Sequence, residues 1–436
     1  MRRWKLACEI AFLVCFFVLP SCAAQELIGG HWEGVMTREG AELPVSFDFI
    51  SAASELKASF NSPTQRAMGI PLRNVSYSAP KVHFELAGDA TTIVFHGTLT
   101  GDAIEGQFRE RDAGGTFSLK RVEAKPPTFK QEEISFHNGN VTLFGTLLLP
   151  LTKEPHPAVV FVHGSGPEGR FASRFLAEHF TRYGIAALIY DKRGVGKSTG
   201  DWRQSDFGDL AGDAIAGIHF LQQRQEINNQ EIGIYGHSQG GMLGPLIASR
   251  SKDVAFVISG AGSALPLHEA EVNSITNQVR AQGVSGDELA EATRFIKMFV
   301  QLLRTGQGWE QFDAATEKAR DTKWYPMLHV PPKDSWFWAY YKRIADYNAA
   351  DYWGSVNVPV LVIYGGRDSL VPVEQSVTNI NRALNRARNR DYTILVLPRA
   401  SHAFNIEREP GEPFEWSRMA PGLPDLLTAW INQRMK

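Results

Sequence analysis

Two kinds of hydrophobic patterning divide the chain. Between about Ile28 and Val122, apolar and polar residues alternate over short stretches at Val45–Ile50, Val82–Leu86, Thr92–Gly97 and Thr116–Leu119. Gly, Asp, Asn and Pro separate these stretches at close spacing, and helical periodicity is weak. A two-residue period with one wet face predicts an antiparallel β-sandwich or barrel. From Glu133 onward the pattern changes. Strands are expected over Glu133–Phe136 and Val141–Leu149, followed by runs apolar on both faces at Ala158–Val162, Ile185–Tyr190, Ile232–Tyr235, Val254–Ser259, Val358–Tyr364 and Tyr392–Leu397. Runs without alternation belong to strands covered on both sides, as in parallel sheets. Helical stretches at Arg174–Tyr183, Asp209–Gln223 and Leu423–Met435 lie among them. Strands interleaved with helices predict a doubly wound α/β domain.

Between Ala264 and about Ala350 the pattern is helical, with no buried strand evident. This insertion falls between two core strands, where a lid over an active site would sit. Its aromatic residues, among them Trp324, Trp336, Phe337, Trp338, Tyr340 and Tyr341, either line an apolar pocket or pack the insertion onto the body.

Length and composition refine this division. A chain of 436 residues suggests two or three domains. Residues 25–123 are assigned to the β-rich domain and 132–436 to the α/β domain. Residues 124–131 form a linker, because Pro126-Pro127 between charged residues stops both helix and ladder. A formal net charge of -2 gives no reason to expect nucleic acid or an anionic membrane surface as partner. Residues 1–24 have the layout of a secretory signal: basic Arg2, Arg3 and Lys5, an apolar stretch from Ala11 to Leu19, then small residues. The apolar stretch is short for a membrane span. Leu19-Pro20-Ser21-Cys22 also reads as a lipid-attachment site at Cys22, so export to the periplasm or beyond is expected, with or without an anchor. Cys8, Cys15 and Cys22 all lie in this segment, leaving the mature chain without a disulfide, a thiol nucleophile or a cysteine metal site. His31, His83 and His96 have no ligand spacing, and neither metal nor cofactor is expected.

The candidate chemistry centres on Ile232-Gly233-Ile234-Tyr235-Gly236-His237-Ser238-Gln239-Gly240-Gly241. Gly236-x-Ser238-x-Gly240 at a strand-to-helix junction is a nucleophile elbow, a sharp turn that exposes the serine hydroxyl at a helix N-terminus. Such a serine needs a base and the base an orienting carboxylate. Two later strand ends supply Asp368, in Gly365-Gly366-Arg367-Asp368, and His402, in Ser401-His402. The order Ser238, Asp368, His402 is the order this elbow requires. Gly260-Ala261-Gly262-Ser263 contains no acid, and Asp391 precedes its strand, so Asp368 is the expected carboxylate. For the oxyanion hole, the backbone N–H groups of Gln239 and of Ser165, within His163-Gly164-Ser165-Gly166, are the candidates. The segment Asp191-Lys192-Arg193-Gly194-Val195-Gly196-Lys197-Ser198 looks superficially like a phosphate loop. Asp191 stands where that loop needs its first glycine, so nucleotide binding is rejected.

From about Glu133 to its end the chain resembles the serine α/β-hydrolases, and specifically bacterial carboxylesterases with an N-terminal β-rich extension. The motifs that carry the resemblance are His163-Gly164-Ser165-Gly166-Pro167, Asp191-Lys192-Arg193-Gly194-x-Gly196-x-Ser198, Gly236-His237-Ser238-Gln239-Gly240-Gly241 and Gly365-Gly366-Arg367-Asp368. The resemblance implies hydrolysis of small short-acyl esters through an acyl-enzyme on Ser238. Two alternatives stand beside it: a peptidase or amidase on the same triad, and a catalytically silent ligand-binding relative. Members of this fold with a Cys or Asp nucleophile are excluded by Ser238.

Overall fold

The computed structural model describes residues 28–52, 55–88, 91–409 and 411–435; the expected signal segment and Cys22 lie outside them. The described residues divide into two compact units, one of residues 28–60 and 70–124, the other of 61–69 and 125–435.

Nine strands among the described residues form one sheet: β1 (Gly30–Arg38), β2 (Ala41–Ala52), β3 (Glu55–Ser62), β4 (Ala67–Pro71), β5 (Arg73–Ser78), β6 (Lys81–Ala87), β7 (Thr92–Thr100), β8 (Ala103–Glu110) and β9 (Ala113–Val122). Their order is β4-β3-β2-β1-β9-β8-β7-β6-β5. The strands from β5 to β9 run as an antiparallel meander, and β1 closes onto β9. Phe47 of β2 and Phe84 of β6, far apart in this order, meet with ring centroids 5.1 Å apart, so the sheet curls over on itself. Its interior is aromatic. Phe47, Phe84, Phe95 and Phe117 interlock, with ring centroids of Phe84 and Phe95 4.7 Å apart. The alternating pattern marks β2, β6, β7 and β9 but misses β8, whose inward face is Ile104, Gly106 and Phe108. A Cβ at Gly106 would lie 2.1 Å from the His96 carbonyl oxygen, so packing removes the apolar residue that the pattern needs there.

The other unit is built on eight strands: β10 (Phe129–Asn138), β11 (Val141–Pro150), β12 (His156–Val162), β13 (Ala186–Tyr190), β14 (Ile227–His237), β15 (Val257–Gly260), β16 (Val360–Gly365) and β17 (Tyr392–Leu397). They lie in the order β10-β11-β13-β12-β14-β15-β16-β17. The first two pairings are antiparallel and all the rest parallel. β10 begins inside the stretch expected as linker, because Phe129, Lys130 and Gln131 already pair with Pro150, Leu149 and Leu148. Only the segment with Pro126 and Pro127 precedes the ladder.

Helices α1 (Phe171–Arg182), α2 (Phe207–Gln222) and α3 (Gln239–Arg250) connect the central strands. Between β15 and β16 lie α4 (Leu267–Ala281), α5 (Gly286–Thr305), α6 (Trp309–Ala319), α7 (Trp336–Ile344) and the single turn α8 (Ala350–Trp353). α9 (Val373–Arg386) and α10 (Leu423–Asn432) complete the unit. Helices cover both faces of the sheet, which is why the strands read as unbroken apolar runs. Val160, Leu188, Ile234 and Val362 pack on one side with α2, α3 and α9, and Phe161, Ile189, Tyr235 and Ile363 on the other with α1 and α10. The inserted helices have a core of their own around Phe295, Phe299, Phe312 and Trp324. Trp338 packs on Trp309 with ring centroids 4.6 Å apart, so these two rings hold the insertion together rather than line a pocket.

Candidate active site

Strand β14 is buried from Ile232 to Gly236 and delivers the chain into α3 through Ser238. Ser238 has φ 56° and ψ -117°, a region costly for any residue with a side chain. The surroundings enforce it. A Cβ on Gly236 would lie 2.2 Å from the Gly240 carbonyl, and one on Gly240 would lie 2.2 Å from the Val162 carbonyl oxygen. No flexible side chain is available to yield at either place. Gly240→Ala is therefore expected to destabilise the fold by about 2–3 kcal/mol, read as a lower urea midpoint. A midpoint equal to that of the wild type would show that the strand–helix approach is looser than this geometry. Pro245 sits inside α3 and cannot donate to the Gly241 carbonyl four residues earlier. The Ser259 hydroxyl donates to that carbonyl at 2.9 Å, so the helix continues across the proline.

Three strand ends converge at the elbow. The Ser238 hydroxyl donates to His402 Nε2 at 3.0 Å, and His402 Nδ1–H donates to Asp368 Oδ2 at 2.8 Å. Asp368 is fixed in turn: its Oδ1 accepts the backbone N–H groups of Leu370 and Val371 at 2.8 and 2.9 Å, and its carboxylate is wholly buried. His237 holds the loop of His402 by donating from Nε2 to the His402 carbonyl at 2.9 Å. Burial and the neighbouring His402 push the His237 pKa down to about 4, so it stays a neutral donor through the ordinary pH range.

Gln239 is the first residue of α3, and the leading N–H groups of a helix have no partner within it. Its backbone N–H follows the nucleophile directly. Ser165 lies on the loop after β12 and, with Ser238, Gln239 and His402, lines a cavity of about 390 Å³. Beyond the triad the cavity wall is formed largely by Met242, Leu267, Phe337, Tyr340, Ile344 and Val371. Glu271, Ser274 and Gln278 of α4 add a polar stretch to it. Burial pushes the Glu271 carboxyl above the usual range, and the hydroxyl of Tyr341 nearby has no hydrogen-bond partner among the described residues. Helical spacing alone places Glu271, Ser274 and Gln278 on one face, yet nothing in the sequence says that this face meets Ser238.

The glycine-rich segment after β13 proves to be an ionic knot. Arg170 binds Asp191 at 2.9 Å and Glu133 at 2.7 Å, while Arg193 binds Asp213 at 2.6 Å. Burial opposes the charge of Asp191, but the bonds from Arg170 outweigh it and hold the carboxyl below its ordinary value. Between these pairs lies Lys192, 2% exposed, with Nζ 2.6 Å from the Gly164 carbonyl and 3.1 Å from Gln239 Oε1. The sequence places this lysine in a motif but does not reveal its burial, because a lysine in a glycine-rich turn is ordinarily solvated.

Comparison with known proteins agrees with this architecture. Residues 153–409 match the family Hydrolase_4, described as serine aminopeptidase, S33. The chain is 27% identical over 275 residues to the esterase EstD of Thermotoga maritima, a match covering 60% of this chain and 59% of that one. The chain thus spans about three fifths of that relative's length. It is 32% identical over 130 residues to the quorum-quenching protein AidA of Acinetobacter baumannii, covering 29% of this chain and 42% of the relative. Among solved structures, the Pyrococcus furiosus esterase Pf2001 aligns with a TM-score of 0.46 at 18% identity, over 72% of this chain and 94% of that one. With the family match spanning more than half of its length, the chain belongs to the serine aminopeptidase S33 family of α/β-hydrolases.

Proposed function

We propose that the protein is a serine carboxylesterase that hydrolyses short-acyl esters through an acyl-enzyme on Ser238. The observation that carries this reading is the relay of Ser238, His402 and Asp368 at 3.0 and 2.8 Å, opening into a mainly apolar cavity. In this mechanism His402 Nε2 takes the Ser238 proton as Oγ adds to the acyl carbon. The N–H groups of Gln239 and Ser165 receive the resulting oxyanion. His402 then protonates the departing alkoxide, and a water activated by the same imidazole cleaves the acyl-enzyme. Helices α4 to α7 act as the lid, since α4 and α7 contribute Leu267, Phe337 and Tyr340 to the cavity. A cavity of this size suits acyl groups of about two to six carbons, with graded selectivity because each methylene is worth only roughly 1–3 kcal/mol.

The test is kcat/KM for acetyl, butyryl, octanoyl and palmitoyl p-nitrophenyl esters beside an aminoacyl p-nitroanilide. Acetyl or butyryl ester is expected to be best; a best palmitoyl ester would sink the short-acyl reading. A second reading, cleavage of aminoacyl bonds, is favoured by Glu271, whose carboxylate would meet a substrate ammonium in the cavity, and by the family's description. A best anilide substrate would select it.

The reading includes export. Residues 1–24 have signal character and Cys22 a lipid-site context. N-terminal analysis of protein from the native host is expected to find a new end near Ala24 or a lipidated Cys22, and an intact Met1 would refute both.

A further inference from the structure

Lys192 is a buried cation that the acyl-transfer mechanism does not use. An ammonium has three donors. Those of Lys192 reach the Gly164 carbonyl at 2.6 Å, the Gly166 carbonyl at 2.9 Å and Gln239 Oε1 at 3.1 Å. Gly164 and Gly166 flank Ser165, whose N–H is one expected oxyanion donor, and Gln239 supplies the other. The acceptors come from two separate segments, the loop after β12 and the first turn of α3, and meet only at this nitrogen. Both segments are held by further bonds as well. The Gly164 N–H donates to Glu168 Oε2 at 2.6 Å, and Gln239 Nε2 reaches the Tyr340 hydroxyl at 3.4 Å.

We propose that the Lys192 ammonium is a positioning residue that locks the two oxyanion-hole donors at a fixed separation. It also adds a positive charge behind the forming oxyanion, where pre-arranged dipoles and charges act most strongly. The inference rests on the serine-esterase reading of Ser238.

The same group gives the site an alkaline limit. Burial pulls the Lys192 pKa down to about 8, against Glu168 and Asp213, which favour the ammonium. The groups facing it are Glu168 and His163 from the loop after β12, Asp213 from α2, Gln239 from α3 and the indole of Trp202, 5.6 Å away. His163 donates from Nε2 to the Tyr190 carbonyl, and burial holds its pKa near 3, so it contributes no charge in the working range. Asp213 is paired with Arg193 at 2.6 Å. Raising the pH through 8 therefore removes a proton from Lys192, leaving two donors for three acceptors and no charge at the hole.

The experiment uses the full chain with p-nitrophenyl butyrate. Wild-type kcat/KM, which reports the free enzyme, is expected to fall by about fivefold or more between pH 7.5 and 9.5 while the protein stays folded by circular dichroism. K192M is expected to lower kcat about 10²-fold, the cost of disturbing an oxyanion donor, with KM changed by less than about threefold. The alkaline limb should vanish in this variant, and ethylammonium should partly restore K192A. A flat wild-type profile overturns the proposal, as does a K192M kcat within about threefold of wild type. If K192M does not fold, the wild-type profile alone decides.

Phenylboronic acid, which forms a tetrahedral anionic adduct on an activated serine, separates this inference from the esterase reading. Adduct formation weakened about tenfold by K192M supports the lysine's role even where no ester is turned over. Equal affinity in wild type and variant overturns it, and no adduct in the wild type overturns both readings.

Discussion

Ser238→Ala is expected to abolish ester turnover, lowering kcat by about 10⁶-fold, while the chain stays folded. The size of the effect follows from the coupling within the relay. Every step that His402 and Asp368 serve follows from attack by the Ser238 oxygen, so removing that oxygen discards their contribution as well. A residual rate of about 10³–10⁴ over water remains from the oxyanion donors and the cavity. The fold should be almost indifferent. Ser238 Oγ bonds His402 Nε2 at 3.0 Å in a half-buried position, and alanine meets the same φ of 56° at the same cost as serine. The measurements are kcat on p-nitrophenyl butyrate, the urea midpoint, and labelling by a fluorophosphonate. Labelling of wild type and not of the variant, with matching midpoints, is the expected pattern. Turnover within about tenfold of wild type in the purified variant would remove Ser238 from the mechanism.

The parts of this molecule that could be read from the sequence are those whose environment is uniform. Val159 to Val162 and Leu361 to Tyr364 are covered by helices on both faces, so their strands appear as unbroken apolar runs. The elbow was legible because Gly236, Gly240 and Gly241 each stand where a Cβ would strike backbone, and such a requirement leaves a mark in the sequence. Helix starts were less legible. α2 begins at Phe207 rather than Asp209, because Asp206 and Asp209 bond each other's backbone N–H groups in a capping box. The curled sheet was half visible, since β8 presents inward a glycine between Ile104 and Phe108.

What the sequence hides is burial that depends on distant partners. The acceptors of Lys192 lie 28, 26 and 47 residues away in the chain, and neither glycine carbonyl carries any sequence signal. Glu271 has the same character. An acid on an amphipathic helix reads as a solvated residue, and only the tertiary placement of α4 puts it on the wall of the cavity that holds Ser238.

Asp368→Asn is expected to lower kcat about 10⁴-fold with little change in KM. The two carboxylate oxygens of Asp368 do different work. Oδ1 accepts the N–H groups of Leu370 and Val371 at 2.8 and 2.9 Å, and Oδ2 accepts the His402 Nδ1–H at 2.8 Å. An asparagine has one oxygen and one NH₂ to place at these positions. Two backbone donors converge on the Oδ1 position, and an NH₂ there would set donor against donor twice. The amide oxygen therefore goes to Oδ1 and the NH₂ to Oδ2, facing His402. To accept from that NH₂, His402 Nδ1 must lose its hydrogen, which moves the ring proton to Nε2. An imidazole with its proton on Nε2 has no lone pair for the Ser238 hydroxyl, so the base is lost although every side chain stays in place. Substrate still meets the same cavity and the same oxyanion donors, hence the nearly unchanged KM. Steady-state kinetics give the split between kcat and KM, and proton NMR of the imidazole distinguishes an Nδ1–H from an Nε2–H. A kcat loss below about tenfold, or an unchanged Nδ1–H signal, would mean that another group orients His402.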